Sequence, residues 1–201
     1  MTVVALRPID FVDLEPSLQD ALRPRYERLG YLGDFFRYMA HQPSALLHFD
    51  RFTEECKRAL GPSYGEVVAL TAATRLGNDY ERHQHERLAL ALGRPRAWVA
   101  EVERLAPDDA DSELADVECA IQRFVLASIE SLVPTTPDAR PTASADALDQ
   151  VVELIGDAAA AAVALLSARF VGHALVSRAC ALTPPVPSIF ADAEEPDDAG
   201  D

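Results

Sequence analysis

The chain has 201 residues, 49% of them hydrophobic, with 33 acidic residues against 18 basic ones and a net charge of −15. That length predicts one domain with or without tails, and the apolar share is ample for a core. The acidity argues against nucleic-acid binding, which calls for a basic face, and against anionic membrane surfaces.

Three cysteines, Cys56, Cys119 and Cys180, stand far apart. An odd count without motif spacing predicts free thiols in a reducing cytoplasm. The N-terminus lacks a basic region followed by a long apolar run, so no signal peptide is expected. The richest apolar run, residues 158–168, is too short to span a bilayer and ends at Arg169. The expectation is a soluble, cytoplasmic protein.

In chain order, residues 1–16 alternate apolar and polar and contain Pro8 and Pro16, which predicts an extended arm. Residues 17–29 predict a short helix capped by Ser17, with Pro24 as a potential break. Residues 31–40 bring Leu32, Phe35, Phe36 and Met39 onto one side. Pro43 suits the first turn of a helix running to Leu60, which Gly61-Pro62 stops. A helix over residues 96–105 carries Trp98, and another is predicted over 112–132. Residues 134–144, with three prolines, read as a loop. Residues 145–182 predict one long Ala-rich helix or a broken pair, with Gly156 and Gly172 as points of close approach. Residues 191–201 are acidic and predicted to be disordered. The helical domain is therefore placed at 17–190.

The segment 63–93 carries the chemistry. Its first helix is apolar on nearly every side, through Val67, Val68, Leu70 and Ala72, and so is buried all round. Its second starts near Asn78. At about 100° per residue, Asn78, Glu81, His85, Leu88, Ala89 and Leu92 share one face. The three apolar members need a core, which predicts that Asn78, Glu81 and His85 face inward while His83 points to water. Buried polar groups need partners or a cavity. Glu66, on the first helix, also forms S-x-x-E with Ser63, the pattern of a capping box. Glu81 and His85 also stand at the spacing of a plain i,i+4 pair. Asn78 suits a helix cap as well as a pocket wall, Tyr80 lies off the inner stripe, and His173 reads as core. No cluster has metal-ligand spacing, and no phosphate loop or nucleophile elbow is present.

The frame Glu66, Tyr80-Glu81 and His85, within E-V-V-A-L and Y-E-x-x-x-H-x-x-x-A, resembles the alkylhydroperoxidase D / carboxymuconolactone decarboxylase superfamily. His41-Gln42-Pro43 is similar to its H-x-P segment, and 152–156 to the start of its closing helix. The resemblance covers residues 29–187. It implies an all-α, oligomeric helical bundle, a trimer or hexamer, with sites between helices. Two departures stand out. Asn78 and Glu81 occupy the positions of the peroxidase branch's Cys-x-x-Cys, which removes thiol–disulfide chemistry by that route. Arg82 stands where the decarboxylase-like branch often has Trp.

The resemblance implies a cofactor-independent lyase acting on a small carboxylated lactone or keto acid. His85 would be the general acid, with Glu66 or Glu81 holding or relaying its proton. Asn78, Tyr80, Arg82 and His41 would border the substrate, and Arg82 or Arg75 would bind its carboxylate. The alternatives are a redox protein related to the alkylhydroperoxidases and a non-catalytic helical binding or assembly module.

Overall fold

A computed structural model describes residues 6–132 and 142–191. Among the described residues there are nine α-helices and no strand. They are α1 (Pro16–Leu29), α2 (Asp34–Met39), α3 (Pro43–Leu60), α4 (Pro62–Leu76), α5 (Asp79–Ala91), α6 (Arg96–Glu103), α7 (Asp116–Ser131), α8 (Thr142–Ile155) and α9 (Asp157–Ala179).

The hub is α4, which packs against α3, α5, α6, α7 and α9. Its nine consecutive buried residues, 65–73, explain why almost no polar group was available for an outer face. It ends at Gly77 in the left-handed conformation (φ 61°), which costs least without a Cβ. Asn78 follows, its N–H bonded to Ala73 O at 2.8 Å and its carbonyl accepting from Glu81 and Arg82. This tight reversal sets the inner face of α5 against α4.

The apolar residues form two clusters. The larger joins α4, α6, α7, α8 and α9 around Val68, Leu70, Ile121, Val151 and Leu166. The smaller gathers the N-terminal elements around Phe11, Leu18, Leu22, Phe35 and Phe36, with Tyr80 from α5. Polar groups of α4, α5 and α9 lie along the seam between them. His85 meets Phe170 of the larger cluster edge-on at 5.2 Å, while His173 stacks on Phe35 of the smaller at 3.8 Å.

Several expectations change. Within the arm expected over 1–16, the described residues pack onto their own chain: Phe11 and Leu14 are buried, and Phe11 stacks on Tyr26 at 4.1 Å. Pro24 does not break α1, and Glu15, not Ser17, is its N-cap. Of the two readings offered for residues 145–182, the structure takes the broken pair, divided at Gly156 (φ 81°). The start of α7 at Asp116 is later than predicted, because the acidic turn extends through residue 115. Most of the predicted loop 134–144 and nearly all of the acidic tail lie outside the described residues. α9 alone among the described helices is long and apolar enough to cross a membrane. Its inward face nevertheless carries buried Ser167, Arg169, His173 and Ser177, whose partners include side chains of α3 and α5.

Candidate functional site

A cavity of about 440 Å³ opens along the seam. Its inner wall holds Thr53, Glu81, His85, Arg169 and His173, and its sides include Tyr31, Phe35, Phe36 and Tyr80.

His85 is held from behind. Its Nδ1 lies 2.7 Å from Glu66 Oε2, and both side chains are buried. An ionised carboxylate accepts only, so Nδ1 carries the hydrogen and donates it. That leaves Nε2 as the ring atom that takes up or releases a proton. Nε2 stands 3.5 Å from Glu81 Oε2. Glu81 is anchored in turn: Arg169 Nη1 donates to Oε2 at 2.7 Å, and His173 Nε2 approaches Oε1 at 3.0 Å. Behind these, Arg169 Nε donates to Thr53 Oγ1 at 3.3 Å, and Ser177 Oγ lies 3.0 Å from His173 Nδ1. Arg169 also lies over the Phe170 ring, 4.4 Å from its centroid. The result is a polar chain, Ser177–His173–Glu81–His85–Glu66, with Arg169 and Thr53 as side supports.

The proton affinities follow from this packing. Burial disfavours a charged His85, but the Glu66 charge, the Glu66 hydrogen bond and Glu81 outweigh it and raise the imidazole above its ordinary value; Lys57 works in the opposite direction. Burial also works to raise the Glu81 carboxyl, yet His173, Arg169 and His85 together hold it well below the carboxylate range. For His173 burial prevails over the pull of Glu81 and lowers it to about 3. His173 is therefore neutral near pH 7, with Nε2–H donated to Glu81 and Nδ1 accepting from Ser177. The two histidines of this one network are shifted in opposite directions.

The sequence-predicted residues separate into two groups. Glu66, Glu81 and His85 are brought together. Glu66 stands behind His85 and does not itself line the cavity. The capping role read for Glu66 is not observed: Gly61 is the N-cap of α4 and Pro62 its first residue, so Ser63 sits too far inside the helix. Tyr80 lines the cavity, and its hydroxyl accepts the Phe35 N–H at 3.0 Å. Asn78 is buried at the N-cap of α5, outside the lining, with no side-chain cap bond. Arg82 is directed away, toward Asp79 (2.8 Å), Glu86 and Glu103 (3.6 Å each). Arg75 pairs with Glu130 on the surface. His41 bonds Arg7 O at 2.7 Å and borders a separate apolar groove. Nearness in sequence misled for Arg82 because one residue along a helix is about 100° of rotation.

The opposite face of α5 holds the C-terminal segment. His83 Nδ1 lies 3.2 Å from Val186 O, Arg87 donates to Pro187 O, and Glu86 accepts from Ser188 Oγ and from the Ile189 N–H. His83 is thus half-buried and bonded, not turned to water, and Val186 completes the cavity wall. Leu92, expected inside, is 41% exposed because α5 ends at Ala91. The residues missed by sequence reasoning are Arg169, His173, Thr53 and Lys57. A usable signal for the first two was an Arg and a His at i,i+4 within an otherwise apolar Ala-rich helix, a pattern that demands buried partners. None of the three cysteines lines the cavity, and burial raises the thiols of Cys56 and Cys180. Among the described residues no cluster of metal-ligating side chains is present.

No family model and no curated protein matches the sequence. Solved structures do match. The debrominase Bmp8, as a cysteine-to-alanine variant in complex with 2,3,4-tribromopyrrole, superposes with a TM-score of 0.72 at 16% identity over 90% of this chain and 92% of that one. An alkylhydroperoxidase AhpD core, an uncharacterized peroxidase-related protein from Ralstonia eutropha JMP134, superposes with a TM-score of 0.70 at 13% identity, over 92% and 94% of the two chains. The chain has the alkylhydroperoxidase D fold. These neighbours include a debrominase and a peroxidase-related protein, so the fold hosts more than one chemistry and the side chains must decide this one.

Proposed function

We propose that the chain is a cofactor-independent acid–base enzyme of the carboxymuconolactone decarboxylase type, acting on a small carboxylated lactone or keto acid. The observation that supports this most is the Glu66–His85–Glu81–Arg169 arrangement at the cavity wall. Where the peroxidase branch of the fold carries a cysteine pair, this chain has Asn78 and a buried, doubly anchored carboxylate at Glu81. The site is built for moving protons.

The chemistry balances on the substrate itself. The bond between the carboxylate carbon and the ring or chain carbon breaks, carbon dioxide leaves, and its electron pair passes into a conjugated carbonyl as an enolate. His85 Nε2–H then protonates the substrate carbon. Glu66 holds the imidazole in the required tautomer and stabilises its charged form, so it acts as a positioning residue. Glu81, kept ionised by Arg169 and His173, faces the same nitrogen and supports the imidazolium before transfer. The cavity is lined by five cations, Arg25, Arg28, Lys57, Arg87 and Arg169, against Glu54 and Glu81. In a chain of net charge −15, that local excess favours an anionic substrate.

The test is carbon dioxide release from a panel of γ-carboxylated lactones and β-keto acids by the wild type and by Glu81→Gln. The expected result is release from one substrate class, reduced at least tenfold by the substitution. Release unaffected by Glu81→Gln, or no release from any member, would contradict the proposal.

A further inference from the structure

The cations around the cavity are not equivalent. Arg169 is committed to Glu81 at 2.7 Å. Arg25 is held by Asp50 at 2.8 Å and Glu54 at 3.4 Å. Arg87 donates to Pro187 O at 2.9 Å. Arg28 is exposed at the last turn of α1. Lys57 is different: its side chain is 24% exposed, and its nearest acid, Glu66 Oε1, is 4.0 Å away, beyond hydrogen-bond reach. That acid already serves His85 with its other oxygen. The stem of Lys57 passes Gly65 of α4, with Cγ 3.7 Å from where a Cβ would stand, and the residue reaches the cavity wall. A part-buried ammonium with three donors and, among the described residues, no partner at hydrogen-bond distance is poised for an incoming anion.

We propose that Lys57 is the specificity-determining anchor for a carboxylate of the substrate. The inference rests on the acid–base reading of this site and names the group that selects its substrate class.

The position has a second consequence. Lys57 is a positive charge that opposes protonation of His85. The other ionisable groups packed about His85 are Glu66 from α4, Glu81 from α5, and Arg169 and His173 from α9. Glu54, Arg25, Arg28, Arg87 and the Tyr31 and Tyr80 hydroxyls also line the cavity. A carboxylate seated on Lys57 adds negative charge beside the imidazole and favours its protonated form. Substrate arrival thereby loads the proton that the reaction consumes, and by linkage the protonated enzyme binds the anion more tightly.

The experiment is calorimetric titration of the full chain with benzoate and with its neutral isostere benzamide. The wild type is expected to prefer benzoate by at least tenfold. Lys57→Gln and Lys57→Met should reduce that preference to within about twofold, Lys57→Arg should retain it, and Arg58→Gln, an exposed change outside the cavity at a residue paired with Glu55, should alter it by less than threefold. Repeated at pH 7.5 in buffers of different ionisation enthalpy, the wild type should take up a fraction of a proton per benzoate bound, and His85→Gln none. A wild type without the preference, or a preference that survives in both Lys57→Gln and Lys57→Met, would overturn the inference. The anchor and the chemistry fail separately. A preference that persists without Lys57, while turnover still needs His85, removes only the anchor. A preference that needs Lys57, while turnover survives His85→Ala, removes only the acid–base reading.

Discussion

Replacing Arg169 by Met is the sharpest structural perturbation available. The Arg169 side chain is 7% exposed and that of Glu81 8%, at 2.7 Å. Removing one partner of such a pair strands a buried charge and costs about 3–5 kcal/mol. Two features place the expectation at the lower end, about 3 kcal/mol at pH 7. Glu81 keeps the His173 contact at 3.0 Å, and Met retains much of the packing on Phe170 and Phe49. The sign of the pH dependence follows. Glu81 is held well below the carboxylate range, so it contributes stability above its unfolded value that is lost as pH falls through its folded one. Without Arg169 the folded value rises, Glu81 protonates sooner on acidification, and the penalty should shrink from pH 8 to pH 5. Urea unfolding of wild type, Arg169→Met, Glu81→Gln and the double variant at both pH values closes a double-mutant cycle. The coupling should exceed about 1.5 kcal/mol at pH 8, within the range for neighbours in one network. A single-variant cost below about 0.5 kcal/mol, the level of an ordinary surface change, would refute the account of the network. So would a penalty equal at both pH values.

Three further outcomes are expected. Glu66→Gln removes the charge that raises His85, so the histidine's NMR titration midpoint should fall; an unchanged midpoint would mean that Glu66 does not set it. His83→Ala deletes a contact to Val186 O and should cost about 0.5–1.5 kcal/mol in chemical denaturation with turnover nearly intact; loss of turnover equal to that of His85→Ala would reverse the assignment of the two faces. Leu165 (49% exposed) and Leu175 (65% exposed) leave apolar surface along α9, so light scattering at micromolar concentration should show self-association, and a monomer would count against it.

The parts of this architecture legible in the sequence were those encoded within one helix. Glu81 and His85 lie one turn apart on α5, and their shared face could be read from spacing. The burial of α4 was legible because its apolar residues leave no polar side. The role of Glu66 was ambiguous because Ser63 imitates a cap; the ambiguity ends once Gly61 and Pro62 fix where the helix starts. Arg169 and His173 were not legible as partners of Glu81, since a contact across 88 positions, as between Arg169 and Glu81, leaves no local pattern. His83 was misread because nothing near it announces that residues 186–190 return to cover the far face of α5. Lys57 was missed for a similar reason: on α3 it reads as one basic residue in a last turn, and only the packing of α3 on α4 brings it beside Glu66.

The most direct test of the central claim is proton delivery by His85. Turnover in deuterium oxide should place deuterium at the enolate carbon that His85 protonates, and His85→Ala should slow its appearance by about 10²–10⁴-fold, the range for loss of a general acid. Because a charged imidazole is required, the wild-type rate should fall as pH rises through a value above the ordinary histidine pKa of 6.5, in keeping with the upward shift at His85. Deuterium appearing at the wild-type rate in His85→Ala would contradict the account.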